Sequence, residues 1–151
     1  MQIAGVDCST KKIAIFYINS DGSCETTEIT SKKEDTSVRI NDMFEVVCAE
    51  MKRRKPDMVY VENSPYLQNI KVTLAIHSVV DSVRFACVLS KVAMQTIEVT
   101  SWKKACCGNG RAEKSDVMQW AKLKYGDKLI TSQDIADAAG VASFGWNMVK
   151  G

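Results

Sequence analysis

Residues 2–30 read QIAGVDCSTKKIAIFYINSDGSCETTEIT, and their pattern decides the fold class. Residues 2–6 are a short apolar strand that ends at Asp7. Residues 12–18 are rich in β-branched and aromatic side chains, Asn19-Ser20-Asp21-Gly22 has turn composition, and residues 24–30 resume the extended pattern. Connections this short cannot carry a crossover, so the three runs are expected to pair as an antiparallel meander.

Downstream the period changes. Asp35, Thr36 or Ser37 can cap a helix whose apolar positions Ile40, Met43, Phe44, Val47 and Met51 recur at helical spacing. Lys52-Arg53-Arg54-Lys55 closes it as a solvated basic end favoured by the helix dipole, and Pro56 stops it. Residues 57–62 form a buried strand with a carboxylate at its end. After Asn63-Ser64-Pro65, residues 67–90 read as a long helix with Val72, Ile76, Val79, Val83 and Ala86 on one stripe, and Leu74 and Val80 off it. Residues 93–99 are a fifth strand, 102–111 a loop with a short turn, and 112–125 and 132–148 the last two helices. The order βββαβαβαα predicts an α/β domain spanning 1–151. Its five-stranded mixed sheet joins the three-stranded antiparallel meander to two parallel strands, flanked by helices. That order resembles the ribonuclease H-like fold.

Composition narrows the class less. The 151 residues carry 20 Lys+Arg against 18 Asp+Glu, a formal +2 that neither demands nor excludes nucleic acid. The six cysteines show no CxxC pair and read as reduced cytoplasmic thiols rather than disulfides or a zinc site. The N-terminus lacks the charged and apolar regions of a signal peptide. No apolar run is expected to approach the ~20 residues of a membrane span. A cytoplasmic protein with no membrane partner is the expectation.

Two acids share a position type: Asp7 directly follows IAGV, and Glu62 directly follows MVYV. Ligand sites in α/β sheets gather at the carboxyl ends of strands. With strands one and four adjacent and parallel, both acids emerge at one edge. The segment SQDIADAAGV at 132–141 adds Asp134 and Asp137, three residues apart and so on one helix face. Among small apolar neighbours, like charge and poor solvation both penalise their ionisation. Four carboxylates at one spot are untenable without cations. Hard oxygen donors without His or Cys select Mg²⁺ or Mn²⁺ over zinc. Two such ions ~3.5–4 Å apart suit in-line cleavage of a phosphodiester by water. Singly, each acid has a plainer reading as a cap or a solvated face; their coincidence favours a site.

GVDCST at 5–10, VYVENSPY at 59–66, GNGRAEKSDV at 108–117 and DIADAAGVA at 134–142 together resemble RuvC-like Holliday-junction resolvases, and the likeness runs nearly the whole chain. The resemblance implies a homodimeric, metal-dependent crossover-junction endodeoxyribonuclease of DNA recombination and repair. Such an enzyme nicks two strands symmetrically at a four-way junction and leaves 5′-phosphate and 3′-hydroxyl ends. Position by position it implies Asp7, Glu62, Asp134 and Asp137 as catalytic metal ligands, holding two Mg²⁺ ions with Mn²⁺ as a substitute. It also implies Lys114 as a catalytic lysine and Lys103 as a second functional basic residue. A cation beside the scissile phosphate stabilises the charge of the transition state without titrating, and the start of the helix at Glu113-Lys114 would offer backbone N–H groups to a phosphate.

Cys8-Ser9 stands where many relatives carry Pro-Gly, and Pro65 stands where the resemblance places a stacking aromatic. Tyr66, one residue on, either stacks on an unpaired base or caps the helix as a rim residue. Such divergence would suit a phage or mobile-element enzyme, acting in host cytoplasm, that also cuts other branched DNA or flaps. Lys103, Lys104, Asn109, Arg111 and Lys114, with Trp102 interleaved and Gly108 and Gly110 allowing close backbone approach, form the expected DNA-contact patch. Lys11-Lys12 and Lys32-Lys33 at the meander ends extend it. His77 reads as packed or partner-facing rather than catalytic. The surplus apolar residues of the long helix suit an isologous dimer.

Other readings fit less well. A 3′–5′ exonuclease of this fold pairs its first Asp with Glu two residues on, where Ser9 stands. A ribonuclease H proper would place a Glu on the first helix, whereas Glu62 ends a strand. A non-catalytic junction-binding module would lack an acid, and an actin-like fragment would need a second phosphate-binding turn and a much longer chain.

Overall fold

The computed structural model describes residues 1–63 and 66–151. The opening stretch forms β1 (Gln2–Cys8), β2 (Lys12–Asn19) and β3 (Cys24–Thr30), each adjacent pair antiparallel. β4 (Met58–Glu62) lies parallel to β1, with Val6 opposite Val61, and β5 (Ala93–Ile97) lies parallel to β4. The order across the sheet is β3-β2-β1-β4-β5, so β1 is central. The expected meander and parallel pair are both present.

Alternation along the strands sorts the core into two layers. Ala4, Val6, Ile13, Ile15, Tyr17, Val59 and Val61 face α1 (Thr36–Arg54) and α2 (Ile70–Ser90), which supply Met43, Val47, Met51, Val79, Val80, Val83 and Ala86. Ile3, Ala14, Phe16, Ile18 and Tyr60 face α3 (Val99–Cys107), α4 (Lys114–Tyr125) and α5 (Gln133–Lys150). Asp35 caps α1, its carboxylate accepting from the Val38 N–H at 3.0 Å.

Several expectations change. Residues 99–107 are a helix, not a loop, bringing the order to βββαβαβααα. One large apolar residue, Trp102, supplies most of the buried surface of this short helix, which leaves no helical periodicity to read. α2 begins at Ile70, where Asn69 accepts from the Val72 N–H at 3.3 Å. Val79, Val83 and Ala86 of the expected stripe are buried, but Val72 is exposed where Thr73 turns inward to hydrogen-bond Leu67 and Asn69, and Val80, expected off the stripe, is buried as well. α2 is also long and apolar enough, by length and composition, to cross a membrane, although Lys71, His77, Asp81 and Arg84 interrupt it. Finally, Arg54 is not a freely solvated helix end. It pairs with Glu25 at 2.6 Å and Glu50 at 3.2 Å and lies 4.4 Å over the Tyr17 ring. The six cysteines are free thiols.

α5 approaches the sheet more closely than an ordinary helix. A Cβ on Gly5 would strike the backbone nitrogen of Ala142 and the carbonyl oxygen of Ala138. A Cβ on Gly145 would strike the Tyr60 ring, and one on Gly140 the Trp102 ring. The small residues of DIADAAGVA are therefore the contact surface of a helix laid backbone-to-backbone on β1. Because neither partner at Gly5 is a flexible side chain, Gly5→Ala is expected to cost roughly 3 kcal/mol, read as a lowered urea midpoint with an unchanged m-value. An unaltered midpoint would show that α5 sits further away.

Candidate active site

Strand alternation fixes where two acids point. Asp7 follows Gly5 by two residues and Glu62 follows Tyr60 by two, so both side chains emerge on the face covered by α5. β1 and β4 are parallel neighbours, so both acids also stand at the same sheet edge. Ser132 caps the first turn of α5 at that edge, its hydroxyl accepting from the Ile135 N–H at 3.2 Å and donating to Glu28 at 2.8 Å. Asp134 and Asp137 lie in that helix's first turns, which the Gly5 contact holds against the sheet.

The four carboxylates act on one another. Burial, then the charges of Glu62, Asp137 and Asp134, push the Asp7 carboxyl well above its ordinary value. Burial pushes Glu62 up to about 7, opposed by a hydrogen bond from Trp102. Asp137 is raised chiefly by burial, opposed by Gln133, Lys103 and Lys114. Three of the acids lean on separate partners. Trp102 Nε1 donates to Glu62 Oε2 at 2.9 Å, Gln133 Nε2 donates to Asp137 Oδ1 at 3.0 Å, and Lys12 Nζ stands 3.5 Å from Asp134 Oδ2. Among the described residues no three Asp, Glu, His or Cys side chains already converge tightly enough to grip an ion. The donor set itself fits Mg²⁺ or Mn²⁺: four carboxylates on one face, with Cys8 alternating to the other face and packed against its core.

The basic candidates divide. Lys103 and Lys114 are close enough for their charges to act on Asp137, and Lys103 also acts on Glu62. Lys104 and Arg111 are exposed. The Asn109 side-chain oxygen accepts from the Arg111 N–H at 2.9 Å and so shapes its own turn. Trp102, expected within the surface patch, is instead wholly buried beneath Glu62. The Glu113 N–H is taken by Asp116 at 2.9 Å, and with these two acids at its start α4 offers a phosphate less than expected. Tyr66 is 90% exposed with its ring 5.8 Å from His77; Pro65 lies outside the described residues. Trp102, Gln133 and Lys12 are the supporting residues that sequence reasoning missed as partners of the acids. No local motif marks them, since their partners lie on other elements or one helical turn away.

The family model for crossover junction endodeoxyribonuclease RuvC matches residues 3–144. This chain belongs to the RuvC family. The RuvC protein of Geotalea uraniireducens is 24% identical over 147 residues, covering 94% of this chain and 86% of its own. That of Caldanaerobacter subterraneus is 30% identical over 109 residues, covering 72% and 66%. A structure of Thermus thermophilus RuvC in complex with Holliday junction substrate superposes with a TM-score of 0.83 at 19% identity, covering 99% and 96%. The yeast mitochondrial Holliday junction resolvase Ydc2 superposes at 0.62 and 12% identity, covering 94% and 77%. These structural likenesses establish the RuvC fold, ribonuclease H-like in architecture.

Two outcomes follow from the electrostatics. Asp7 and Glu62 hold protons more tightly folded than unfolded. Their contribution to stability is therefore full below the unfolded carboxylate range and is lost as pH rises, through about 7 for Glu62. In EDTA the melting temperature is expected to fall by several degrees between about pH 4.5 and 8. Asp7→Asn should flatten that fall, and Mg²⁺ should offset it in the parent chain; a flat parental profile would contradict the clustered acids. Trp102→Phe deletes the N–H together with the five-membered ring of the buried indole, and is expected to cost roughly 2–4 kcal/mol in urea unfolding from the lost hydrogen bond and the cavity together.

Proposed function

We propose that this chain is a metal-dependent endonuclease that resolves four-way DNA junctions by symmetric nicking. The observation that carries the reading is the meeting of Asp7 and Glu62, at the ends of adjacent parallel strands, with the helix-borne pair Asp134 and Asp137 in a RuvC-family chain. These four acids would hold two Mg²⁺ ions, with Mn²⁺ able to substitute. Bound there, the ions supply the Lewis acidity for phosphodiester hydrolysis, leaving 5′-phosphate and 3′-hydroxyl ends.

The chain's own residues do the rest. Trp102 and Gln133 orient Glu62 and Asp137 through single hydrogen bonds. Lys114 and Lys103 place positive charge beside the acids, where the extra negative charge of the scissile phosphate develops. Lys104, Asn109 and Arg111, on the exposed loop and helix between them, contact flanking backbone phosphates. Tyr66 presents a free ring that stacks on an unpaired base near the crossover. Leu74, Phe85, Val88 and Leu89 of α2 are between 59% and 71% exposed, an apolar face suited to an isologous homodimer. Two copies related by a twofold match the two symmetric strands, and a cytoplasmic setting accords with branched DNA as substrate.

Asp7→Asn is expected to abolish nicking while retaining junction binding; full activity would sink the assignment. Lys114→Met should lower the single-turnover rate by roughly 10²–10³-fold with little change in affinity, and a loss confined to affinity would refute its role. Incubation with Mg²⁺ and labelled four-way, Y-shaped and linear DNA separates the readings. Paired symmetric nicks at the four-way crossover support a resolvase, whereas flap or end cutting supports a broader branched-DNA nuclease.

A further inference from the structure

The sheet edge that carries the four acids has a second charged feature. β1 turns into β2 there, β3 ends at Thr30, and α1 begins at Thr36. Between these segments lies a cleft of about 540 Å³ lined by Lys11, Ser31, Lys32, Lys33, Glu34 and Arg39. Arg39 is only 9% exposed, and its guanidinium donates to neutral oxygens alone. They are the carbonyls of Thr10 at 2.9 Å, Lys33 at 2.9 Å and Glu34 at 2.6 Å, and the Thr36 hydroxyl at 3.0 Å.

Among the described residues no carboxylate pairs with it directly. Asp35 accepts from the Val38 N–H and Asp42 from the Ser31 hydroxyl at 3.0 Å. The ion pairs among the described residues include none to Lys11, Lys32, Lys33 or Arg39. Glu34 is the one carboxylate among the residues lining the cleft, against three lysines and the guanidinium, with Asp35 and Asp42 beside it. A nearly buried cation without a counter-charge is costly unless its hydrogen bonds are complete. Here those bonds tie the β1–β2 turn to the β3–α1 connection, so two lysine-bearing loops are held as one wall. Self-repulsion among these cations is relieved by a polyanion.

The position of the cleft indicates which polyanion. Lys12, next to Lys11 in the chain, reaches Asp134, so the β1–β2 turn that supplies Lys11 to the cleft also leads to the acid cluster on the meander side. Lys103 and Lys114 flank the same acids from α3 and α4, on the sheet face that the acids occupy. The acids therefore sit between two positive zones, as a site that must attract a phosphodiester to carboxylates requires. We propose that the Lys11–Lys32–Lys33 cleft seats backbone phosphates of a DNA strand running from the candidate active site past the β3 rim. This rests on the nuclease reading above and adds a second anchoring surface to it.

The test is equilibrium binding of a labelled four-way junction in EDTA across a salt series. Lys32→Ala/Lys33→Ala is compared with Lys52→Ala/Lys55→Ala, which removes equal charge from exposed positions at the far end of α1. Each phosphate that the protein no longer neutralises should lower the slope of log K against log salt by about 0.9. The cleft pair is expected to show a slope shallower by about 1–2 and weaker binding, with an unchanged melting temperature. The control pair is expected to keep the parental slope. A parental slope in the cleft variant, or an equal loss in the control, overturns the proposal while leaving the nuclease reading intact. A parent chain that neither binds nor cuts branched DNA overturns both.

Discussion

The absence of a side chain at Gly5 is the constraint from which the rest of the arrangement follows. It lets the backbone of α5 lie against the backbone of β1, where any Cβ would meet Ala142 and Ala138. Gly140 and Gly145 extend the close contact over Trp102 and Tyr60. A helix seated this tightly has little freedom to slide or rotate, because its contacts are with main chain and rings rather than adaptable side-chain tips. Its first turn consequently projects Asp134 and Asp137 over the sheet edge where β1 and β4 deliver Asp7 and Glu62.

That placement works against stability. Four carboxylates share a partly dehydrated edge, and Asp7, Glu62 and Asp137 are each raised chiefly by burial and further by at least one neighbouring carboxylate. The chain relieves the strain by giving three acids separate partners, Trp102, Gln133 and Lys12. Those partners hold carboxylates apart without neutralising the cluster as a whole, and it retains the electrostatic character of a cation site. A buried tryptophan N–H is well suited to this: it orients Glu62 while adding no charge of its own.

Charge elsewhere on the same edge complements the acids. The modest formal charge of +2 conceals a segregated surface, with Lys103 and Lys114 on one side of the acids and the Arg39-braced lysines on the other. The conspicuous basic run at 52–55 is partly spent on internal pairing through Arg54. Lys11, Lys32 and Lys33, by contrast, enter no ion pair among the described residues. What matters is whether each cation already has a carboxylate.

Much of the fold was legible because strand and turn patterns are local. The meander, the parallel pair and the strand-end positions of Asp7 and Glu62 all follow from alternation and chain order. The α3 helix was not legible, since one buried tryptophan gives no period, and at the start of α2 it is Thr73 rather than Val72 that turns inward. Local pattern and chain order were enough to dictate the strands, the residue types at the sheet edge and, through the motifs, the RuvC resemblance. Folding in three dimensions was needed to put Trp102 beneath Glu62, to turn Lys12 to Asp134, and to make Arg39 draw two lysine-bearing loops together. Each of these pairings joins residues far apart in the chain, and their contact depends on how closely helices and loops settle on the sheet.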